Sequence, residues 1–304
     1  LALALVRSQR RRRTGRSIKS SGDLRQKLLD SLPFSLTPSQ VAAVDEITAD
    51  LASDQRMHRL LQGDVGSGKT VVALLAMAAA IEAGHQAALL APTEILARQH
   101  FATIEPLARA AGISIQLYTG RDKGTARAAI LEGFKTGSTQ LAVGTHALFQ
   151  ERVEFKDLAF SVIDEQHRFG VHQRLALSGK GEASDVLVMT ATPIPRTLTL
   201  TAYGDMESSR LTEKPEGRQP IDTRTFPVER LDEIVSAVQR TLAQGAKIYW
   251  ICPLVEESEA LDLAAAEDRY AHLKQVFGAK VGLVHGKMKG PDKDAVMQNF
   301  AGSG

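Results

Sequence analysis

The chain of 304 residues contains a single cysteine, Cys252. One thiol can form neither an internal disulfide nor a multi-cysteine zinc site, which suits a reducing cytoplasm. Within Ile248-Tyr249-Trp250-Ile251-Cys252 it reads as a small buried hydrophobe. No apolar run approaches the roughly 20 residues that span a bilayer, so a membrane helix is excluded. An excess of one charge is missing too: 37 basic residues face 35 acidic ones, for a net charge of +2. Bulk charge therefore neither demands nor excludes nucleic acid; only the run Arg10 to Arg13, continued by Arg16 and Lys19, offers a local basic stretch. An initiator Met is absent, and Leu1-Ala2-Leu3-Ala4-Leu5 is too short for a signal-peptide core. Both ends are expected to be internal to a longer protein.

What is present is ordinary globular material, 43% hydrophobic and 24% charged, enough for about two domains at roughly 150 residues each. From residue 57 onward short apolar runs alternate with helical patterns. Strands are expected at Arg59–Gln62, Gln86–Leu90, Ser114–Tyr118, Gln140–Val143, Ser161–Asp164 and Val186–Thr190. Helices are expected at Thr70–Ala83, stopped by Gly84, and Ile95–Ala111, stopped by Gly112. Strands alternating with helices predict an α/β fold, a parallel sheet with helices on both faces. The stretch 214–221, rich in charge, Pro and Gly, reads as an interdomain linker. A second series then begins, with strands at Thr223–Phe226, Lys247–Cys252 and Lys280–Val284 and helices at Leu231–Ala243, through Leu273–Phe277, and at Asp292–Phe300. The expected organisation is a connecting segment over 1–36, a first domain over 37–213, and the start of a second over 222–304.

The strongest chemical signal is Gly63-Asp64-Val65-Gly66-Ser67-Gly68-Lys69-Thr70, a complete G-x-x-x-x-G-K-[ST] phosphate loop between an expected strand and an expected helix. Glycines allow backbone N–H groups to wrap phosphates, and the helix start adds positive potential. Lys69 can reach the terminal phosphates of ATP, and the Thr70 hydroxyl can hold Mg²⁺. Such a loop needs a carboxylate for the metal, and Ser161-Val162-Ile163-Asp164-Glu165 supplies two acids at a strand tip. Asp164 is placed to bind Mg²⁺ directly or through water, and Glu165 to orient or deprotonate the attacking water. His167 follows them directly, where it could sense nucleotide state. In Thr190-Ala191-Thr192-Pro193 the hydroxyls of Thr190 and Thr192 read either as a helix cap or as a relay between nucleotide and nucleic-acid sites.

Taken in order, the phosphate loop, Asp164-Glu165-Gln166-His167 and Thr190-Ala191-Thr192 resemble the motifs of superfamily 2 helicases. Longer strings resemble a bacterial family of branch-migrating DNA helicases: Ala91-Pro92-Thr93-Glu94-Ile95-Leu96-Ala97, the run from Asp164 to Arg174, that from Met189 to Thr197, and Val284-His285-Gly286-Lys287-Met288. A transcription–repair coupling translocase is similar in these motifs but would carry Glu in place of Gln166. The resemblance implies a RecA-like fold, continued by the start of a second RecA-like domain, and ATP-driven movement on branched double-stranded DNA, with fork reversal and Holliday-junction migration. It implies a monomer in the cytoplasm, associated with the nucleoid. It assigns Gln40, in Leu36-Thr37-Pro38-Ser39-Gln40, to adenine, although Thr37 and Gln40 also form a capping box. Thr93 and Thr145, at strand ends, would touch the DNA backbone, contacts that position a strand without reading its sequence. Alone, both threonines would be helix caps. The family's late Gly-Arg-x-Gly-Arg motif, its amino-terminal wedge domain and its carboxy-terminal hook have no counterpart here, so the isolated chain is expected to bind nucleotide and hydrolyse it slowly. A P-loop metabolic kinase would leave Thr190-Ala191-Thr192 and the restarted α/β series unexplained. A module that only binds nucleotide would leave Glu165 without a use.

Overall fold

Period-two side-chain alternation with both faces apolar is what a strand needs in the middle of three layers. The computed structural model, which describes residues 15–120, 124–150, 152–164, 184–191, 206–213, 221–252 and 259–302, shows seven such strands in one sheet. They are β1 (His58–Gly63), β2 (Gln86–Leu90), β3 (Ile115–Tyr118), β4 (Leu141–Gly144), β5 (Leu158–Asp164), β6 (Asp185–Thr190) and β7 (Glu207–Leu211). The spatial order is β3-β4-β2-β5-β6-β1-β7, and every pairing is parallel. Leu61, Leu89, Val162, Leu187 and Met189 point into one core, whereas Leu60, Leu90, Ile163 and Val188 point into the other. The expected parallel α/β sheet is therefore present, with each of the six strands expected before residue 191 matched to within a few residues.

The first core is covered by α1 (Asp23–Asp30), α2 (Pro38–Leu51), α3 (Lys69–Glu82) and α4 (Glu94–Ala110); α5 (Gly124–Thr136) brings Phe134 to the second. Helix α3 is buried at every position from Val72 to Ile81, because it runs against the sheet with α1 and α2 packed on its outer side. Its many alanines keep it thin enough for that middle place. Glu82, at its end, accepts hydrogen bonds from the Gly22 and Leu24 N–H groups at 2.9 and 3.0 Å and from the Ser21 hydroxyl at 2.8 Å. Burial would push its carboxyl up, but these donors outweigh burial and hold it below the usual carboxylate range. The stretch read as a connecting segment thus belongs, over its described part, to this packing, with Ile18 and Leu28 in the core.

Strand β7 was not legible in the sequence. Glu207-Ser208-Ser209-Arg210-Leu211 has no apolar run, and what fixes it is polar: buried Arg59 on β1 donates to Ser209 Oγ at 3.0 Å, Asp50 at 2.8 Å and Glu46 at 3.1 Å.

The chain divides into two compact units, Leu1–Gln219 and Pro220–Gly304. The second contains α6 (Leu231–Ala243), α7 (Glu259–Phe277) and α8 (Gly290–Ala301), where helices were expected. The three strands expected there do not form: 223–226, 247–252 and 280–284 make no ladder among the described residues. A strand exists only through its partner's hydrogen bonds. Here the Lys247 ammonium donates to the carbonyls of Ala301 and Gly302 at the end of α8, Tyr249 and Ile251 stay 67% and 80% exposed, and Cys252, expected to be buried, is exposed too. The expected linker, 214–221, lies outside the described residues but for its last position.

Candidate functional site

Parallel strands deliver their carboxyl ends to one edge, and the register lines up the chemistry there. Gln62 lies opposite Thr190, Asp164 opposite Met189, Gly63 opposite Leu211, and Leu90 opposite both Gly144 and Ile163. The phosphate loop, Asp164, Thr190, the segment running to Thr93, and Thr145 therefore all leave the same edge, the edge at which open α/β sheets bind ligands.

The loop's backbone depends on its glycines at two points. Gly66 and Gly68 have φ of 75° and 85°, in the left-handed region. A Cβ on Gly68 would also lie 2.3 Å from Gln40 Nε2. A Cβ on Gly63 would lie 2.4 Å from Ser67 Oγ, a buried hydroxyl with no hydrogen-bond partner. Gly68 is the N-cap of α3, so Lys69 and Thr70 are its first two residues and their N–H groups face the loop. Lys69 Nζ donates to the carbonyls of Gly63 and Asp64 at 2.7 and 2.9 Å, which holds the ammonium across the loop's mouth. Asp64, Val65 and Gly66 are exposed on the loop's crest. A tight turn of backbone N–H groups, a helix start and one ammonium fit a polyphosphate.

Gln40 does not stand apart from that loop. Its side-chain amide donates to the Ser67 carbonyl at 2.8 Å and accepts from the Thr37 N–H at 2.9 Å, completing the capping box of α2. The residue is buried and clamps α2 to the phosphate loop. An amide carries a second donor hydrogen and a second lone pair, so an adenine edge remains within its capacity.

Asp164, buried at the end of β5, is held by a residue that the motif reading missed. His100 Nε2 lies 2.8 Å from Asp164 Oδ2, and both side chains are mostly shielded from solvent. A carboxylate that is to hold a cation can only accept, so in that role the imidazole N–H is the donor. The sequence did hold a signal: His100 sits between Ala97 and Ile104, three and four residues away on the buried stripe of α4. A polar residue on such a stripe requires a partner.

The threonines act locally as caps. Thr93 accepts from Leu96 N–H at 3.3 Å at the start of α4, and Thr145 accepts from Ala147 N–H at 3.4 Å before the short turn His146–Phe149. Thr93 is exposed, whereas Thr145 and Thr190 are buried. Glu165, Gln166, His167 and Thr192 lie outside the described residues. Among the described residues no group of three His, Cys, Asp or Glu could hold a metal by itself. A metal beside Asp164 would draw its other ligands from the Thr70 hydroxyl, phosphate and water, as Mg²⁺ does.

These features define a class. The DEAD/DEAH box helicase family model matches residues 37–201, and the chain belongs to that family. The first unit is thus a nucleotide-binding helicase domain. Within the family it is similar to the ATP-dependent DNA helicase RecG of Bacillus subtilis (strain 168), 47% identical over 98% of this chain and 44% of the relative. RecG of Escherichia coli (strain K12) is 46% identical over 99% of the chain and again 44% of the relative. The chain therefore spans less than half the length of these curated relatives. The solved structure of RecG bound to a three-way DNA junction superposes with a TM-score of 0.80 at 38% identity, covering 99% of this chain and 39% of that one. The DEAD-box helicase Mss116, bound to single-stranded RNA and UDP-BeF, superposes at 0.68 with 17% identity over 93% of this chain and 62% of that one, which shows the shared fold.

Proposed function

We propose that this chain is the motor portion of an ATP-dependent DNA helicase that acts on branched double-stranded DNA, as in fork reversal and Holliday-junction migration. The observation that carries the reading is the single row of strand ends that gathers Gly63–Thr70, Asp164 and Thr190. Support for the substrate is the likeness to RecG, a solved structure of which holds a three-way DNA junction.

In this reading the loop from Gly63 to Thr70 binds the phosphates of ATP and Lys69 leaves the Gly63 and Asp64 carbonyls for the terminal phosphates. Thr70 and Asp164 would hold Mg²⁺, whose chemistry is to neutralise charge on the phosphate oxygens. Glu165 orients the attacking water and takes its proton. Gln40 steadies the loop through Ser67 and contributes to the adenine pocket. Thr93 and Thr145 meet the DNA backbone, and His167, Thr190 and Thr192 transmit between the two sites. The first domain would run over 37–213, the linker over 214–221, and the second domain's beginning over 222–304, with the protein a monomer in the bacterial cytoplasm at the nucleoid. A coupling translocase of transcription–repair type is disfavoured by Gln166, and a module without turnover by Glu165.

Lys69→Ala tests the nucleotide site. Removing the ammonium deletes charge-assisted hydrogen bonds of about 1.5–3 kcal/mol, so ATP affinity should fall about tenfold or more by calorimetric titration while the fold persists. Unchanged affinity in a folded variant would overturn the phosphate-loop assignment.

A further inference from the structure

A carboxylate that holds a metal works only if its own orientation is held, and the groups that hold ligands are a standard part of a metal site. We propose that His100 is the positioning residue for Asp164, and that through it helix α4 fixes the geometry of the metal position. The inference rests on the nucleotide–Mg²⁺ reading above and adds a residue to it.

His100 Nε2 meets Asp164 Oδ2 at 2.8 Å, the length of a good charge-assisted hydrogen bond. It engages one carboxylate oxygen, which leaves the other to a cation or its water. Neither side chain has freedom to wander. Asp164 ends a strand paired to β6 on one side and, over its preceding residues, to β2 on the other. His100 lies between Ala97 and Ile104, both buried. Because the bond is shielded from water, no solvent molecule replaces it cheaply when it breaks.

The connection also has a direction. Helix α4 begins at the N-cap Thr93, just beyond β2, and His100 follows seven residues later, about two turns into the helix. At 1.5 Å per residue the two are roughly 10 Å apart along a rigid helix. A shift of α4 at its exposed N-terminus is thus delivered to the Asp164 carboxylate through one hydrogen bond. Residues 93 and 100 belong to a single stiff element, so this needs no chain of intermediate side chains.

The test uses the intact chain and compares ATP affinity with Mg²⁺ against affinity in EDTA, for wild type, His100→Gln and His100→Leu, with Lys69→Ala alongside. Gln places an amide N–H near the position of Nε2, whereas Leu fills the space without a donor. Residues that hydrogen-bond a metal ligand are typically worth about 10–100-fold in metal affinity. The Mg²⁺-dependent gain in ATP affinity should therefore drop about tenfold or more in H100L and be largely restored in H100Q, with affinity in EDTA unchanged in both. A gain in H100L equal to wild type, with K69A still impaired, overturns the role of His100 while leaving the nucleotide site standing. An equal loss with and without Mg²⁺ also overturns it, because the histidine would then merely support the fold. If K69A binds ATP like wild type, the underlying site is wrong and the proposal falls with it.

Discussion

Asp185 is the most strongly perturbed acid among the described residues, and it makes stability depend on pH in a predictable direction. It opens β6 opposite Phe160 and is fully buried. Oδ1 accepts the Met57 N–H at 2.6 Å, whereas Oδ2 is buried with no hydrogen-bond partner. Burial pushes the carboxyl up to about 7, against the lowering effects of the Met57 N–H and the charge of Arg56. A carboxyl raised above its unfolded value of 3.8 contributes stability that is complete below that value and is lost as pH rises towards 7. Asp185→Asn keeps the acceptor for Met57 and cannot ionise. From pH 5 to the folded value near 7 is about two pH units, at ~1.4 kcal/mol each, so wild type should lose about 3 kcal/mol relative to D185N between pH 5 and pH 8. For a unit of this size each kcal/mol corresponds to ~2–4 °C, so the separation in Tm is measurable by calorimetry. A difference between the two proteins that stays constant from pH 5 to pH 8 would refute the reasoning: Asp185 would then titrate alike in folded and unfolded chains.

Two further substitutions address the site. Gly68→Ala forces a side chain into a left-handed φ, at about 1–2 kcal/mol, and drives a Cβ into Gln40 Nε2, breaking a buried hydrogen bond worth about 1–3 kcal/mol. Chemical denaturation should show a loss of roughly 2–5 kcal/mol with weakened ATP binding, and an unchanged midpoint would mean that Gln40 does not clamp the loop. Glu165→Gln keeps shape and removes the base, so ATP should still bind while single-turnover hydrolysis falls about a hundredfold or more; near-normal hydrolysis would remove Glu165 from that role.

How much of this was legible in the sequence depends on how local the cause is. The six strands from β1 to β6 announce themselves as apolar runs, and α2 and α4 by Thr37-Pro38 and Thr93 at their caps. The phosphate loop is contiguous, so its glycines, Lys69 and Thr70 could be placed before any fold was known. Causes that join distant residues were not visible. Strand β7 is held by Arg59, 150 residues before Ser209, and a stretch such as Glu207-Ser208-Ser209-Arg210-Leu211 carries no strand pattern of its own. The clamp of Gln40 on Ser67 crosses 27 residues, and the bond from His100 to Asp164 crosses 64. In the second unit the opposite failure occurs. Segments such as Lys247–Cys252 have strand composition, but composition supplies no ladder partner, and the residues take other contacts instead.

The central claim is that ATP hydrolysis at Gly63–Thr70 and Asp164 drives work on branched DNA. The most direct measurement is ATP turnover by a protein of the curated relatives' full length carrying this motor, with no DNA, with linear duplex and with a three-way junction. The account predicts low turnover without DNA, the largest stimulation by the junction, and loss of that stimulation in Lys69→Ala. Turnover that ignores the junction, or a K69A variant that hydrolyses ATP as fast as wild type, would contradict it.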